Sequence, residues 1–253
     1  MENDSSIRRS TEELLKYYAR TSEQYDSMHE GELEHEVALR LITGFVFSLR
    51  ARTVLDVGTG TGRGVAFLSR SISEVKVFGV DFSYELLREG LSAGKLNCGT
   101  VCVTDATALP FPDGAFDLCI ETGILHHVPN PARIIDEMLR VCRVGIALSD
   151  NNMYVAGDSF GILPGGILGA TVKMALCRAG IWRALKRIVR GKEWSYSEGD
   201  GVFWTYSLYD SMSQLRKSCS QVFLIPLRGG NKMHEVPILD ASHLLVVAIK
   251  KGI

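Results

Sequence analysis

A glycine-rich turn constrains the fold of this 253-residue chain more than any other stretch. Residues 53–57 read Thr-Val-Leu-Asp-Val, which predicts a short strand, and Gly58, Gly60 and Gly62 follow it. A run with helical character continues to about residue 71. A strand that ends in such a turn before a helix is typical of open α/β sheets that bind nucleotide-like ligands. We therefore expect a ligand site at this turn.

The residue after the turn limits which ligand this is. The dinucleotide fingerprint G-x-G-x-x-G requires glycine where this chain has Arg63, and no Lys-Ser/Thr pair follows to make a phosphate loop. The pattern therefore disfavours a nicotinamide-dependent dehydrogenase. It favours a small ligand without a pyrophosphate.

The pattern after the turn alternates regularly between strand and helix. Strands are predicted at 53–57, 75–80, 100–103, 116–121, 144–149, 221–226 and 243–250, and helices at 62–71, 84–93, 131–142 and 208–218. Such alternation predicts βαβ units and a parallel sheet covered on both faces. The expected fold is a doubly wound, mostly parallel, seven-stranded Rossmann-like sheet. We expect one domain over residues 1–253.

Two segments do not follow this alternation. Helical spacing at 10–25 and 33–49 predicts an N-terminal helical lid over residues 10–49. Residues 151–205 lack the βα pattern and are predicted to be an inserted substrate cap.

Composition excludes several classes of protein. The net charge of −1 gives no reason to expect nucleic acid as a partner. The six cysteines contain no C-x-x-C pair, which favours reduced thiols over a disulfide framework or a zinc site. The polar N-terminus does not resemble a signal peptide, and no apolar window is long enough to span a bilayer. We expect a cytoplasmic protein of unspecified oligomeric state.

Acidic residues stand at the ends of the next two predicted strands. Asp81 lies about 20 residues after the turn, where a carboxylate binds ribose hydroxyls in such folds. Asp105 can accept from an adenine amino group, and the Ala106 N–H can donate to a ring nitrogen. No Lys or Arg occurs between Lys95 and Arg133, which suits a cationic ligand.

Three motifs in this order resemble the class I S-adenosylmethionine-dependent methyltransferases, in their small-molecule, type 11-like group. They are V-L-D-V-G-T-G-T-G at 54–62, V-D-F-S at 80–83 and D-A-T-A-L-P-F-P-D-G-A-F-D at 105–117. The resemblance covers roughly residues 50–150. The usual Pro-Gly-Gly turn before the fifth strand is absent, since residues 141–145 read Val-Cys-Arg-Val-Gly.

The resemblance implies S-adenosylmethionine as cofactor and assigns residues to it. The turn glycines would surround its amino-acid portion, Asp56 would lie beneath the turn near the amino group, Asp81 would bind the ribose, and Asp105 with Ala106 the adenine. Aromatic residues of an N-terminal helix often cover the cofactor in this family. The implied cofactor residues are Tyr17, Tyr25, Asp56, Gly58, Gly60, Gly62, Asp81, Phe82, Asp105, Ala106 and Glu121.

Two histidines just past the fourth strand are the catalytic candidates. Methyl transfer is a direct displacement, and an oxygen nucleophile also needs a base. We predict that His127 faces the acceptor and that His126 contacts the cofactor; alternatively, both pack against the next helix. Adjacent side chains point apart on most backbones, so no metal site is expected. Asp150, Asn151 and Asn152 either bind acceptor hydroxyls or turn their own backbone.

The predicted cap contains an amphipathic helix at 181–190. Its apolar set is Ile181, Trp182, Leu185, Ile188 and Val189, and its basic set is Arg183, Lys186, Arg187 and Arg190. The helix either covers the active site or makes a peripheral membrane contact. Residues 194–207 mix aromatic, hydroxyl and acidic side chains, as sugar-binding surfaces do. They also loosely resemble a segment of methyltransferases of glycan biosynthesis.

These observations predict a methyltransferase that acts on a small-molecule or glycan-linked acceptor, at oxygen. One alternative is a carbon methyltransferase for a membrane lipid or quinone-like acceptor. Another is a regulatory protein that binds S-adenosylmethionine without catalysis.

Overall fold

The computed structural model describes residues 4–155, 166–227 and 241–252. Its strands are β1 (Thr53–Val57), β2 (Lys76–Asp81), β3 (Val101–Val103), β4 (Phe116–Thr122), β5 (Cys142–Asn151), β6 (Ser195–Ser197), β7 (Gly201–Phe203), β8 (Cys219–Leu227) and β9 (His243–Lys250). Seven of them form one sheet in the order β3-β2-β1-β4-β5-β9-β8. Strand β9 runs antiparallel to both of its neighbours, β5 and β8, and the pairings among β1 to β5 are parallel. The predicted sheet is confirmed.

Helices cover both faces of the sheet. They are α1 (Asp4–Thr21), α2 (Tyr25–Met28), α3 (Leu33–Ser48), α4 (Arg63–Ser71), α5 (Tyr84–Ser92), α6 (Pro131–Val141), α7 (Gly166–Arg178), α8 (Ile181–Arg190) and α9 (Met212–Ser218). One core cluster joins the sheet to α6 and α9, and a second joins it to α3, α4 and α5. Because both faces are buried, the strands consist largely of apolar residues.

Two predicted boundaries are wrong for identifiable reasons. The first helix was predicted over 10–25, but α1 spans Asp4–Thr21; Ser10 therefore lies inside it, where its hydroxyl donates to the carbonyl of Ile7, 2.7 Å away. Strand β5 begins at Cys142, directly after α6, because no turn separates the two elements.

The hairpin formed by β6 and β7, here called the cap hairpin, packs on α1. A Cβ atom added at Gly201 would lie 2.7 Å from the ring of Tyr17, so the two elements meet closely. Trp194, Val202 and Trp204 form a third core cluster with α1. Residues 156–165 of the predicted cap lie outside the described residues. Within the described ranges, no helix combines the length and apolarity needed to cross a membrane.

The predicted faces of α8 are wrong. Lys186, expected on the basic face, is buried and donates to the hydroxyls of Ser195 and Thr205, at 3.1 and 2.9 Å. The apolar set is divided, because Trp182 is fully buried whereas Ile188 is 81% exposed. The hydroxyls of Ser195 and Thr205 bind the buried ammonium. Helical periodicity alone does not reveal contacts of this kind. The side chain of Arg190 lies outside the description.

Candidate functional site

The glycine turn leaves β1 with three left-handed residues, and they differ in what surrounds them. A Cβ atom at Gly58 (φ 73°) would lie 2.2 Å from Cγ2 of Ile124. At Gly60 (φ 56°) the nearest atom is a Leu86 methyl 4.0 Å away. Gly58 therefore packs against the turn after β4, whereas the backbone at Gly60 stays open to a ligand.

Two buried carboxylates hold this turn. Asp81, at the end of β2, accepts from the N–H groups of Gly60 and Ser83, each at 2.8 Å. Asp56 lies beneath the turn and accepts from the hydroxyl of Thr59 at 2.9 Å, while its Oδ1 makes no hydrogen bond to any residue that the structure describes. Burial raises the pKa of Asp56 to about 7 and that of Asp81 to about 6.

The other predicted cofactor residues lie at the same edge of the sheet. Asp105, after β3, is exposed and accepts from the N–H of Thr107 at 2.8 Å, and Ala106 is half-buried. A nucleoside fits this edge, because the open backbone of Gly60 and the carboxylates of Asp81 and Asp105 follow three adjacent strands in order. Contact between these residues and a cofactor stays a prediction.

Glu121 has a different position from the other carboxylates. It is fully buried near the end of β4, and its Oε2 accepts from the N–H groups of Gly123 and Ile124 at 3.1 and 3.2 Å. Burial, together with the charge of Asp150, raises the pKa of Glu121 well above its usual range. The structure thus shows Glu121 supporting the turn after β4, and its predicted cofactor contact is untested.

An aromatic cluster from the N-terminal helices covers this edge. Tyr18 is its centre, with ring centroids 5.5 Å from Tyr17, 5.9 Å from Tyr25, 6.0 Å from Phe82 and 6.4 Å from His127. Tyr17 is buried, its hydroxyl makes no hydrogen bond within the described part of the chain, and Tyr25 reaches a cavity wall. Sequence reasoning selected Tyr17 and Tyr25 but not Tyr18, although all three lie close together in the sequence.

Asp26 connects this segment to the glycine turn. Its Oδ1 accepts from the hydroxyl of Thr61 at 2.7 Å, and its Oδ2 pairs with the ammonium of Lys95. The ammonium of Lys95 is the main influence that lowers the pKa of Asp26, against the effect of its partial burial. These polar contacts tie the segment around Asp26 to the glycine turn and to Lys95.

A cavity of about 90 Å³ lies beside the turn after β4. We call it the histidine cavity, because its wall includes every histidine of the described ranges: His29, His35, His126, His127 and His243. Thr122, Gly123, Arg63, Glu32, Asn151 and Asp200 also line it. Sequence reasoning missed His29, Glu32, His35, Asp200 and His243. Apart from the spacing of Glu32 three residues from each of two histidines, no local signal marks them.

Asp150 anchors one side of this cavity from below. Its Oδ1 lies 2.6 Å from Nδ1 of His126, and its Oδ2 accepts from the N–H groups of Leu125 and His126. Asn152 is buried and donates to the carbonyl of Ala241 at 3.0 Å. Among the three polar residues that follow the fifth predicted strand, only Asn151 lines the cavity; the other two support the backbone.

His126 and His127 lie side by side rather than apart. Their ring centroids are 4.0 Å apart, because Nδ1 of His126 bonds to Asp150 while Nδ1 of His127 lies 2.6 Å from the carbonyl of Val202. Both Nε2 atoms then face Asp200, at 3.3 Å from Oδ2 and 3.6 Å from Oδ1. The expectation that these side chains point apart is wrong. Their predicted catalytic roles are untested.

The environments of the two imidazoles differ. Burial, and the neighbouring His126, lower the pKa of His127 to about 4. Burial also opposes a charge on His126, but the carboxylates of Asp150 and Asp200 outweigh it and raise the pKa of that imidazole. The carboxylates therefore favour a charge on His126, whereas burial and the neighbouring imidazole oppose a charge on His127.

The central part of the chain is similar in sequence to known methyltransferases. Residues 55–148 match a family described as methyltransferase domain. The chain is 38% identical over 100 residues to a phosphatidylethanolamine N-methyltransferase of Cereibacter sphaeroides, covering 38% of this chain and 48% of that protein. It is 40% identical over 92 residues to a demethylmenaquinone methyltransferase of Roseiflexus castenholzii, covering 36% of this chain and 38% of that protein.

The chain therefore spans less than half the length of either relative. The structural similarity to known proteins covers more of the chain than the sequence similarity does. A magnesium protoporphyrin IX methyltransferase of Synechocystis PCC 6803, solved with bound SAH, superposes with a TM-score of 0.57 at 13% identity, covering 93% of this chain and 97% of that one. Residues 55–148 therefore match a methyltransferase domain, and the seven-stranded sheet that contains them has a fold shared with methyltransferases of the class I S-adenosylmethionine-dependent type.

Proposed function

We propose that this chain transfers the methyl group of S-adenosylmethionine to a hydroxyl group of a small polar or glycan-linked acceptor bound in the histidine cavity. The observation that carries the proposal is the position of that cavity. Gly123 lines it directly before Ile124, which packs on Gly58, and Arg63 lines it directly after the glycine turn. An acceptor there lies beside the edge that fits the cofactor.

Each part of the site has a separate task in this proposal. Gly60, Asp81 and Asp105 would hold the cofactor, which supplies an electrophilic methyl group when bound. The cavity would orient the acceptor beside the cofactor, which is most of what a direct displacement requires. Asn151 and Glu32, on its wall, supply hydrogen-bonding groups for a hydroxylated acceptor. His126, His127 and Asp200 are the groups placed to take up the acceptor's proton.

The test is formation of S-adenosylhomocysteine across a panel of acceptors. Hydroxylated sugars, glycolipid headgroups, phosphatidylethanolamine vesicles and quinols are each incubated with the protein and S-adenosylmethionine. Turnover with hydroxylated acceptors that falls in Asp81→Asn at limiting S-adenosylmethionine supports the proposal. Cofactor binding without turnover on any acceptor favours the regulatory alternative instead.

An exposed apolar patch supports a second candidate, a membrane lipid or quinone-like acceptor. Ile181, Ile188 and Val189 on α8 are 53%, 81% and 60% exposed, and the guanidinium of Arg187 lies on the same helix with 60% of its side chain exposed. Exposed apolar side chains beside cations are typical of helices that lie on anionic membranes. The two curated relatives carry names that refer to lipid or quinone acceptors.

Flotation with vesicles separates the two candidates. The lipid candidate predicts that the chain floats with anionic vesicles at low salt and that Ile188→Glu abolishes this. Phe47→Glu is the matched control, because Phe47 is 76% exposed on α3, away from α8. Absence of flotation, or equal loss in both variants, rules out a role for the α8 patch.

A further inference from the structure

We propose that His126, His127 and Asp200 form a binding site for a divalent transition-metal ion of the zinc type. The site lies in the acceptor cavity of the proposed methyltransferase and so deepens that proposal. The metal can nevertheless be measured without turnover. His126 and His127 are buried, and the three potential ligand atoms lie within 4.8 Å of one another.

The distances from the Asp200 carboxylate to the two Nε2 atoms are close to those around a tetrahedral ion. Ligand bonds of about 2.0–2.1 Å at tetrahedral angles place neighbouring ligand atoms roughly 3.4 Å apart. The carboxylate of Asp200 lies 3.3 Å from Nε2 of His126 and 3.6 Å from Nε2 of His127, through a different oxygen in each case. Nε2 of His126 is buried and makes no hydrogen bond among the described residues.

The outer contacts of both imidazoles also suit a metal. Metal-binding histidines usually donate their second ring N–H to a carboxylate or a backbone carbonyl, which fixes the ring and leaves the other nitrogen free to bind. Nδ1 of His126 meets Asp150 and Nδ1 of His127 meets the carbonyl of Val202, both at 2.6 Å. Both arrangements direct Nε2 toward Asp200.

The third ligand comes from a well-anchored hairpin. Asp200 lies in the turn between β6 and β7, immediately before Gly201, whose α-carbon packs on Tyr17. The N–H of Trp204 donates to the carbonyl of His126 at 2.7 Å, so the cap hairpin is tied directly to the turn that carries the histidines. Arg20 on α1 donates to the hydroxyl of Tyr196 at 2.6 Å. These contacts set the position of Asp200 relative to the two rings.

Two histidines and one carboxylate are the ligand set of several catalytic zinc sites, which keep one position for water or substrate. The histidine cavity provides room at that position. An ion bound there could coordinate an acceptor oxygen and favour its deprotonated form, with the proton released to solvent water rather than to the three ligating side chains. The competing arrangement is a buried ion pair, in which Asp200 shares a proton with the imidazoles and no metal binds.

Calorimetry distinguishes the metal site from the ion pair. Chelator-treated protein is titrated with Zn²⁺ in the presence of a competing chelator. We expect one ion per chain. Asp200→Asn should weaken binding on the order of 100-fold, and Asp150→Asn by about 10–100-fold through the second contact of His126. Glu198→Gln is the matched control, because this carboxylate lies in the same turn with its side chain 85% exposed; it should bind as the wild type does.

Binding of less than one ion per chain, or equal affinities in Asp200→Asn and Glu198→Gln, overturns the proposal in favour of the ion pair. Circular dichroism checks that each variant is folded. If Asp200→Asn does not fold, the Co²⁺-loaded wild type decides. Ligation predicts paramagnetically shifted ring protons for His126 and His127, and unshifted protons overturn the proposal.

Discussion

Nδ1 of His126 lies 2.6 Å from Oδ1 of Asp150, and both side chains are buried. The second oxygen of the same carboxylate accepts the N–H groups of Leu125 and His126. One side chain at the end of β5 therefore positions the turn that follows β4. This arrangement ties two neighbouring strands together at the edge where the cavity lies.

Asp150→Ala should lower the free energy of unfolding by about 3 kcal/mol or more, because two backbone N–H groups and an imidazole lose a buried partner. Urea unfolding monitored by circular dichroism measures this. In Glu74→Ala, which removes an exposed partner of Arg52, the change should stay within about 0.5 kcal/mol. Similar losses in both variants would contradict the anchoring role of Asp150.

Gly58→Ala should destabilise the chain more than Gly94→Ala does. Both glycines have similar positive φ, 73° and 69°, so both alanines are strained. Among the described residues, a Cβ at Gly94 meets nothing within 4 Å, whereas one at Gly58 meets Ile124 at 2.2 Å. We expect an additional loss of about 1–3 kcal/mol at Gly58. Thermal and urea unfolding compare the two variants, and equal losses mean that the Ile124 contact is easily relieved.

Asp56→Asn should change how stability depends on pH. Burial raises the pKa of Asp56 from 3.8 to about 7, so the folded chain keeps a proton that the unfolded chain releases. The free energy of unfolding of the wild type therefore loses this contribution as pH rises from about 4 to 7. The free energy of unfolding of Asp56→Asn minus that of the wild type should therefore increase from about pH 4 to pH 7. Urea titrations at several pH values measure this difference. A constant or decreasing difference disagrees with a buried, proton-retaining Asp56.

Asp26→Ala should loosen the segment that covers the glycine turn. The substitution removes the contacts of Asp26 with Thr61 and Lys95, which are partly exposed and contribute little to global stability. Amide hydrogen exchange should become faster around Tyr25–Met28, while the free energy of unfolding changes by less than about 1 kcal/mol. Glu23→Ala, an exposed acid in the preceding 3-10 turn, is the control. Unchanged exchange in Asp26→Ala means that aromatic packing alone holds the segment.

The sheet was predictable from the sequence because its signals are local. Glycines after a β-prone run predicted the turn at Gly58. Short apolar runs predicted the strands, and apolar residues at helical spacing predicted the helices between them. The predicted strand at 243–250 coincides with β9. The position of Asp81 followed from its distance along the chain from the turn. These features depend on residues within one βαβ unit.

The histidine cavity was not predictable in the same way. It combines side chains from α3, the turn after β4, the cap hairpin and β9, which are distant in sequence. The orientation of His127 depends on a carbonyl 75 residues away, at Val202. The burial of Lys186 depends on hydroxyls of the cap hairpin and reverses the face that periodicity predicts. Only tertiary packing brings these groups together.

Calorimetry with S-adenosylmethionine and with NAD, on wild type and Asp81→Asn, tests the central claim most directly. We predict that the wild type binds S-adenosylmethionine but not NAD. Loss of the Asp81 charge should weaken that binding by about 1–3 kcal/mol. Binding of NAD alone, or equal affinity for S-adenosylmethionine in both proteins, would contradict the assignment of the glycine turn and Asp81 to this cofactor.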